Sequence, residues 1–257
     1  MKILVTGHQG FIGQNLSLDL VNQGHEVSTY EWGGPPPSVE GLDWVIHLGA
    51  ISSTTETNVR KILDQNIVFT IQLIEDCIEH GVNMQFASSA SIYGDGLVFK
   101  EDAPARPLNH YARSKYLIEQ YIQTRNAPIT IQAFRYFNVY GPNEDHKGSQ
   151  ASPYTQFRNQ AIETGKIKVF EESDGCIRDF IHVSEIIDLH KKFFDVQESG
   201  VWNFGTGQTK SFLDVANEVA EKYDADVETI PFPEHLKEHY QYYTCADLTK
   251  LKATLSK

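Results

Sequence analysis

Three glycines, at residues 7, 10 and 13, constrain the fold of this chain more than any other feature. Gly7-His8-Gln9-Gly10-Phe11-Ile12-Gly13 comes after a buried-strand pattern over Lys2 to Thr6 and opens a helical pattern from Phe11 to Asn22, whose apolar positions are Ile12, Leu16, Leu20 and Val21. A strand that turns directly into a helix through closely spaced glycines is the start of a βαβ unit, and it commits the downstream chain to a parallel sheet covered by helices. The next residues agree. Apolar runs predict strands at Val27 to Glu31, Trp44 to Leu48, Met84 to Ser88 and Ile129 to Phe134. Helical stripes run through Val59 to Glu79 and Tyr111 to Thr124.

Beyond Asn138 the pattern is irregular: a loop to Pro153, then shorter helices at Thr155 to Gly165, Ser184 to Val196 and Phe212 to Tyr223. The expected class is therefore α/β. A Rossmann-like, doubly wound parallel sheet is expected in residues 1–137. Residues 138–257 are expected to form mainly a small substrate-binding lobe, with segments around 178–202 returning to the first domain. A length of 257 residues suits one large domain carrying a second lobe.

Composition removes several function classes. No apolar run approaches the roughly 18 residues a membrane helix needs, and Met1 to Thr6 reads as a strand, not a leader. A net charge of −12 argues against non-specific nucleic-acid binding. Cys77, Cys176 and Cys245 are odd in number and far apart, so they supply neither a disulfide framework nor a zinc spacing. A reducing, cytoplasmic setting without a metal is the expectation.

The glycines have a chemical reading as well as a structural one. Backbone N–H groups at a helix N-terminus receive a dinucleotide pyrophosphate, and glycines let it approach. An ordinary tight turn would use the same residues. Glu31, ending the second strand, is placed to accept hydrogen bonds from an adenosine ribose, and its charge would repel a 2′-phosphate, which favours NAD over NADP. A solvated strand end is the plainer reading of Glu31.

Tyr111 and Lys115 stand four apart on one expected helix and share a face. A neighbouring ammonium favours phenolate, so Tyr111 is expected to have its pKa lowered toward acid/base service near neutrality. Ser89 lies just past the fourth strand, at the carboxyl edge where open α/β sheets bind ligands. Taken alone, a tyrosine and lysine at this spacing are usually a surface pair. With the glycine loop and Ser89 in the same order along the chain, they form a candidate centre for taking a hydroxyl proton as carbon is oxidised.

Thr6 to Gly13, Ser88-Ser89-Ala90-Ser91-Ile92-Tyr93-Gly94, Tyr111-Ala112-Arg113-Ser114-Lys115, Arg135 to Pro142 and Arg178-Asp179-Phe180-Ile181-His182-Val183 together resemble the extended short-chain dehydrogenase/reductase family of nucleotide-sugar epimerases and dehydratases. The resemblance covers nearly the whole chain. Gly49 to Glu56, Gly141 to Ser149 and Ile230-Pro231-Phe232-Pro233, followed by Leu236-Lys237 and Tyr240-Gln241, are similar to the branch that inverts C6 of ADP-heptoses for lipopolysaccharide core. The resemblance implies NAD or NADP as cofactor, a nucleotide-diphosphate sugar as substrate, and a homo-oligomer. It implies catalytic roles for Tyr111, Lys147, Ser89 and Lys115, with Lys115 on the nicotinamide ribose. Cofactor contacts would come from Gly7, Gly10, Phe11, Ile12, Gly13, Glu31, Leu48, Gly49, Ala50, Asn66, Tyr111, Lys115 and Val139. Substrate contacts would come from Ser52, Ser89, Asn138, Lys147, Ser149, Phe170, Arg178 and Tyr240.

Two alternatives stay open. The substrate could be another UDP- or GDP-sugar, used by an epimerase, reductase or dehydratase, or the chain could bind nucleotide sugars without catalysis. Lys147 also fits a phosphate contact, Arg178 a buried ion pair with Asp179 or another carboxylate, and His146 a solvated loop. Apolar faces on the 59–79 and 111–124 helices could pack on a second copy or on the sheet.

The chain also departs from the family pattern. Only eleven residues separate Glu31 from Asp43, whereas a helix, a strand and a crossover would need roughly 30. Eleven extended residues reach roughly 36 Å, enough to carry the chain across the first strand through Gly33-Gly34-Pro35-Pro36-Pro37. The third strand and its helix are thus expected to be missing, leaving the adenosine end of a cofactor more exposed or held by other residues, Trp32 among them. A terminal helix after Ala246-Asp247-Leu248 is not expected.

Overall fold

The computed structural model describes residues 1–233 and 241–257. Its centre is a six-stranded parallel sheet built from β1 (Lys2–Thr6), β2 (Glu26–Tyr30), β3 (Trp44–His47), β4 (Asn83–Ser89), β5 (Ile131–Tyr136) and β9 (Gly200–Phe204), in the order β2-β1-β3-β4-β5-β9. All five pairings are parallel. Such a sheet must be covered on both faces, so its central strands carry consecutive apolar residues: Trp44, Val45 and Ile46 are all buried. Helices α1 (Phe11–Asn22) and α6 (Val183–Lys192) pack on one face through Phe11, Leu16, Leu20, Val183 and Ile187. Helices α3 (Phe69–His80) and α4 (His110–Arg125) cover the other through Leu73, Ile74, Cys77, Ile118 and Ile122.

Strand β2 is an edge of the sheet, as the shortened crossover requires. The link from β2 to β3 does part of the work of the missing helix. Val39 is 2% exposed and joins Leu4, Val45 and Leu73 in the core, with Tyr30 and Leu42 packed against it. Tyr30 stacks on Phe69 at 5.3 Å between ring centroids, and the half-exposed Trp32 meets the same ring edge-on at 5.4 Å.

A three-stranded sheet, order β10-β8-β6, forms from β6 (Asn138–Tyr140), β8 (Ile177–His182) and β10 (Thr209–Ser211). Beside it lies the parallel pair β7 (Lys166–Phe170) and β11 (Asp226–Ile230). Helices α5 (Pro153–Thr164) and α7 (Phe212–Tyr223) enclose a core of Phe157, Ile167, Val169, Phe180, Val215 and Val219.

Several expectations need correction. β2 starts and ends one residue early because Met1 O receives Glu26 N–H at 3.0 Å and the ladder ends when Gly7 N–H bonds Tyr30 O at 2.9 Å. β5 begins at Ile131, since Thr130 N–H and Ile131 N–H bond the side chains of Asn83 and Ser199 at 3.0 Å. The helix expected over 59–79 is α2 (Val59–Ile62) joined to α3 by a π-helical segment, Leu63–Val68. The loop expected over 138–153 contains β6 and a 3-10 turn, Asp145–Gln150. A terminal helix does form: α8 (Thr249–Leu255) docks on β9, with Trp202 Nε1 donating to Thr254 Oγ1 at 2.9 Å and Lys250 Nζ to Val201 O at 2.8 Å. Seven residues are too few for an apolar period to be read.

Candidate active site

The carboxyl edge of the sheet opens into a cleft of about 500 Å³. Its floor is the glycine loop. Gly7 has φ of +73°, and a Cβ there would lie 2.6 Å from Gly49 Cα. A Cβ on Gly13 would run into the Gly7 carbonyl, so α1 can close on the loop only without one. Gly10 is the N-cap of α1; it brings no capping side chain, and the first turn holds no acidic residue. The first N–H groups of α1 lie at the positive end of its dipole beside the cleft, and no side chain of the helix itself caps them. These residues fit a dinucleotide diphosphate. Glu31 lies at the same floor: its Oε1 accepts from Gln9 N at 2.6 Å and stands 3.4 Å from His8 Nδ1. Leu48, Gly49, Ala50, Ile12, Phe11 and Val139 complete this part of the wall.

Strand β4 and helix α4 supply the candidate catalytic trio. Asn109 caps α4 by accepting from Ala112 N at 2.8 Å, which puts Tyr111 in the first turn and Lys115 one turn on, facing the end of β4. Ser89, Tyr111 and Lys115 all line the cleft. Lys115 is 4% exposed; its Nζ donates to Ala87 O at 2.7 Å and sits 4.6 Å from the Phe86 ring centroid. Burial pushes its pKa down to about 7, against the pull of the Glu119 carboxylate.

The expected lowering of the Tyr111 pKa is reversed. The ring is partly exposed to the cleft, but protein walls most of the phenol, and loss of water raises its pKa while Ser89 draws it back. Lys115 Nζ is 5.9 Å from the Tyr111 ring centroid and is itself disfavoured as a cation by burial, so its field does not overcome the desolvation.

Buried polar pairs support this trio from below. Glu119 is fully buried, accepts from Ser88 Oγ and holds Arg135 through two nitrogens, the closer at 2.6 Å. His47 bridges Thr6 Oγ1 at 2.6 Å and Thr70 Oγ1 at 2.8 Å, and burial, aided by Lys115, drops its pKa to about 3.

Lys147 comes from the 3-10 turn, on a different element. It lines the same cleft, with Nζ 3.5 Å from Glu144 Oε1 and 5.5 Å from the Phe11 ring centroid. Ser52, Asn138 and the exposed His146 line it too; Asn138 Nδ2 also donates to Asp179 O at 3.2 Å.

Other expected site residues lie elsewhere. Asn66 stands behind the wall: its side chain receives Ile51 N–H at 2.9 Å and donates to Ile51 O and Ser114 Oγ, both at 3.0 Å, so it shapes the loop after β3 from the π segment. Ser149 is exposed and outside the cleft lining. Phe170 lines a second cavity of about 440 Å³ with Phe157, Cys176, Phe212 and Phe232. Arg178 is 7% exposed, donates to the Ile177 and Gln241 carbonyls, and places its guanidinium 5.5 Å from the Phe212 ring. Of the ion-pair partners suggested for Arg178, Asp179 or another carboxylate, the Asp179 carboxylate instead accepts from Thr206, Gly207 and Ala246. Tyr240, with Leu236 and Lys237, falls outside the described residues.

Tyr136 and Glu144 are among the cleft residues that the sequence does not single out. Tyr136 lines the cleft with its hydroxyl 2.5 Å from His190 Nε2, and Glu144, 1% exposed, lies under Lys147. The expected strand stops at Phe134, so Tyr136 enters only as part of the Arg135 to Pro142 family stretch, without a role of its own. A carboxylate eight residues ahead of its helix-capping partner Ser152 carries no short-range signal.

Solved structures share this fold. It is similar to the Helicobacter pylori ADP-L-glycero-D-manno-heptose-6-epimerase, with TM-score 0.89 at 24% identity over 99% of this chain and 90% of that one. It is similar to a UDP-N-acetylglucosamine 4-epimerase from Methanobrevibacter ruminantium, with TM-score 0.88 at 21% identity over 100% and 92%. A UDP-glucose 4-epimerase from Thermus thermophilus, solved with NAD, matches with TM-score 0.83 at 26% identity over 98% and 92%. Residues 37–205 match the sequence model of the NAD dependent epimerase/dehydratase family, and the chain belongs to that family.

Proposed function

We propose that this protein is a nucleotide-sugar epimerase that oxidises and re-reduces one carbinol carbon of its substrate, and that the substrate is an ADP-heptose inverted at C6. The observation that carries the reading is the presence of two proton-handling groups in one cleft on separate elements: Tyr111, beside Ser89 on the α4 and β4 side, and Lys147 on the 145–150 turn. A carbonyl formed from the substrate alcohol must be reduced on its other face to give the epimer, and the returning proton then needs a second donor. Tyr111 serves one face and Lys147 the other, while Lys115 and Ser89 hold the phenol and its neighbouring hydroxyls in place. NAD, bound on the glycine loop, supplies the acceptor and donor for the carbon-bound hydrogen. The Glu31 carboxylate favours it over NADP.

The heptose assignment is supported by the Gly49 to Glu56 and Gly141 to Ser149 stretches and by the fold shared with the Helicobacter pylori enzyme. A second reading, a UDP-hexose substrate, is favoured by the 26% identity to the Thermus enzyme. Residues 138–257 are proposed to form the lobe that receives the sugar nucleotide. Among the described residues no helix is long and apolar enough to cross a membrane, and a cytoplasmic, homo-oligomeric enzyme is proposed, with exposed Val59, Leu63 and Leu117 available to a second copy.

The test is incubation with NAD and one epimer of ADP-glycero-manno-heptose, followed by NMR, with UDP-glucose in a parallel arm. Interconversion of the two C6 epimers without net loss of NAD is the expected result. Net consumption of cofactor would indicate a dehydrogenase or reductase, turnover in the UDP-glucose arm alone would move the substrate, and no change in either arm would refute the epimerase reading.

A further inference from the structure

Glu144 is an unusual carboxylate for a surface turn. It is 1% exposed, yet it lies on the lining of the cleft. Three donors from the start of α5 converge on it: Ser152 N at 2.7 Å, Ser152 Oγ at 2.6 Å and Thr155 Oγ1 at 2.8 Å. Ser152 is the N-cap of α5, so the carboxylate also faces the positive end of that helix dipole. A buried carboxylate held this way has its position fixed. The fourth group it meets is Lys147 Nζ, 3.5 Å from Oε1.

The turn that carries Lys147 is tied to α5 at its ends, by Arg158 and Asn159 on the Asp145 carboxylate and by Gln156 Nε2 on the Ser149 and Ala151 carbonyls, and these bonds leave Glu144 as the hydrogen-bond partner of the Lys147 ammonium. Ala151 N–H bonds Gly148 O at 3.1 Å and Lys147 N–H bonds Glu144 O at 3.0 Å, both within the turn. Gly148, in its middle, has φ of +53° and breaks the helical geometry. A flexible four-carbon side chain on such a turn reaches many positions. One rigid anion beneath it selects the position that faces the cleft and the Phe11 ring.

We propose that Glu144 is the positioning residue for Lys147: clamped by the first turn of α5, it fixes the ammonium at the wall of the cleft that Tyr111 also lines. The proposal rests on the epimerase reading for its catalytic consequence, but the placement of Lys147 is testable without turnover.

Lysines labelled by reductive methylation with 13C-formaldehyde give one NMR signal each, and K147R identifies that of Lys147 by its loss. In the otherwise native protein this signal is expected to stand apart from the exposed lysines because of the Phe11 ring, and in E144Q to collapse into them. An unchanged signal in E144Q, with E144D as the rescuing variant, would overturn the placement. For catalysis, E144Q is expected to lower kcat roughly tenfold with KM little changed, and to add no further loss in a K147M background. Equal losses in both backgrounds would mean that Glu144 only supports the fold, and overturn the proposal. Wild-type turnover by K147M would instead remove Lys147 from the reaction; the NMR signal then decides the placement alone.

Discussion

Lys115 Nζ donates to the Ala87 carbonyl at 2.7 Å, tying a side chain of α4 to the strand that delivers Ser89. The ammonium is held 4% exposed, and its pKa falls from 10.5 to about 7. Between those two values the unfolded chain binds more protons at this residue than the folded one, so stability rises with pH across that window; below about pH 7 both states are protonated and the burial cost is felt in full. K115M, compared with wild type by urea unfolding from pH 6 to 10, should therefore gain most at low pH, with the difference shrinking as pH rises. A difference independent of pH would show that Lys115 is not desolvated in the folded protein.

Tyr111→Phe removes one hydroxyl at the cleft and leaves the ring that packs there. Turnover is expected to fall by roughly 100- to 10,000-fold, the range for a lost acid/base group, with circular dichroism and melting temperature close to wild type. Near-normal turnover in this variant would remove Tyr111 from proton transfer.

Glu31→Gln keeps an acceptor for the Gln9 N–H and discards the charge. Affinity for NADP relative to NAD, measured calorimetrically, should rise about tenfold, because a like charge near the 2′-phosphate is gone. An unchanged ratio would mean that the carboxylate serves the glycine loop alone.

Gly13→Ala sets a methyl group against the Gly7 carbonyl. The helix must shift, at a cost of about 1–3 kcal/mol. Dinucleotide affinity should drop by more than the loss of stability measured by thermal unfolding, since the displaced N–H groups are those that would meet the diphosphate.

Glu119→Gln leaves the Arg135 guanidinium, 3% exposed, without its anion. Loss of one partner of a buried pair costs roughly 3–5 kcal/mol. The urea midpoint should fall with the slope unchanged; a midpoint near wild type would mean that water or Tyr93 compensates.

The sequence carried the sheet well because a buried parallel strand is written as a continuous apolar run, as in Ile3-Leu4-Val5 and Trp44-Val45-Ile46, and the helix at Phe11–Asn22 is read to the residue. It also carried the missing strand, since eleven residues cannot fold into a βαβ unit. The π segment was not legible: Leu63–Val68 keeps its apolar residues, and what makes it π-helical is the register that brings Asn66 to Ile51 and Ser114, a tertiary matter. The same limit applies at the site. Spacing places Tyr111 and Lys115 on one face, but the rise in the Tyr111 pKa comes from walls built by distant segments, and Glu144 acquires its role only when α5 folds back over the turn.

The lost crossover leaves β2 without a neighbour on one side. A free strand edge invites pairing by foreign chains. This one is five residues long, carries exposed Glu26, Ser28 and Thr29, and runs into Gly33-Gly34-Pro35-Pro36-Pro37, where three consecutive residues lack a ladder donor. The short link between β2 and β3 thus leaves a boundary that resists aggregation, and the same boundary is where a new segment could be inserted without disturbing the core.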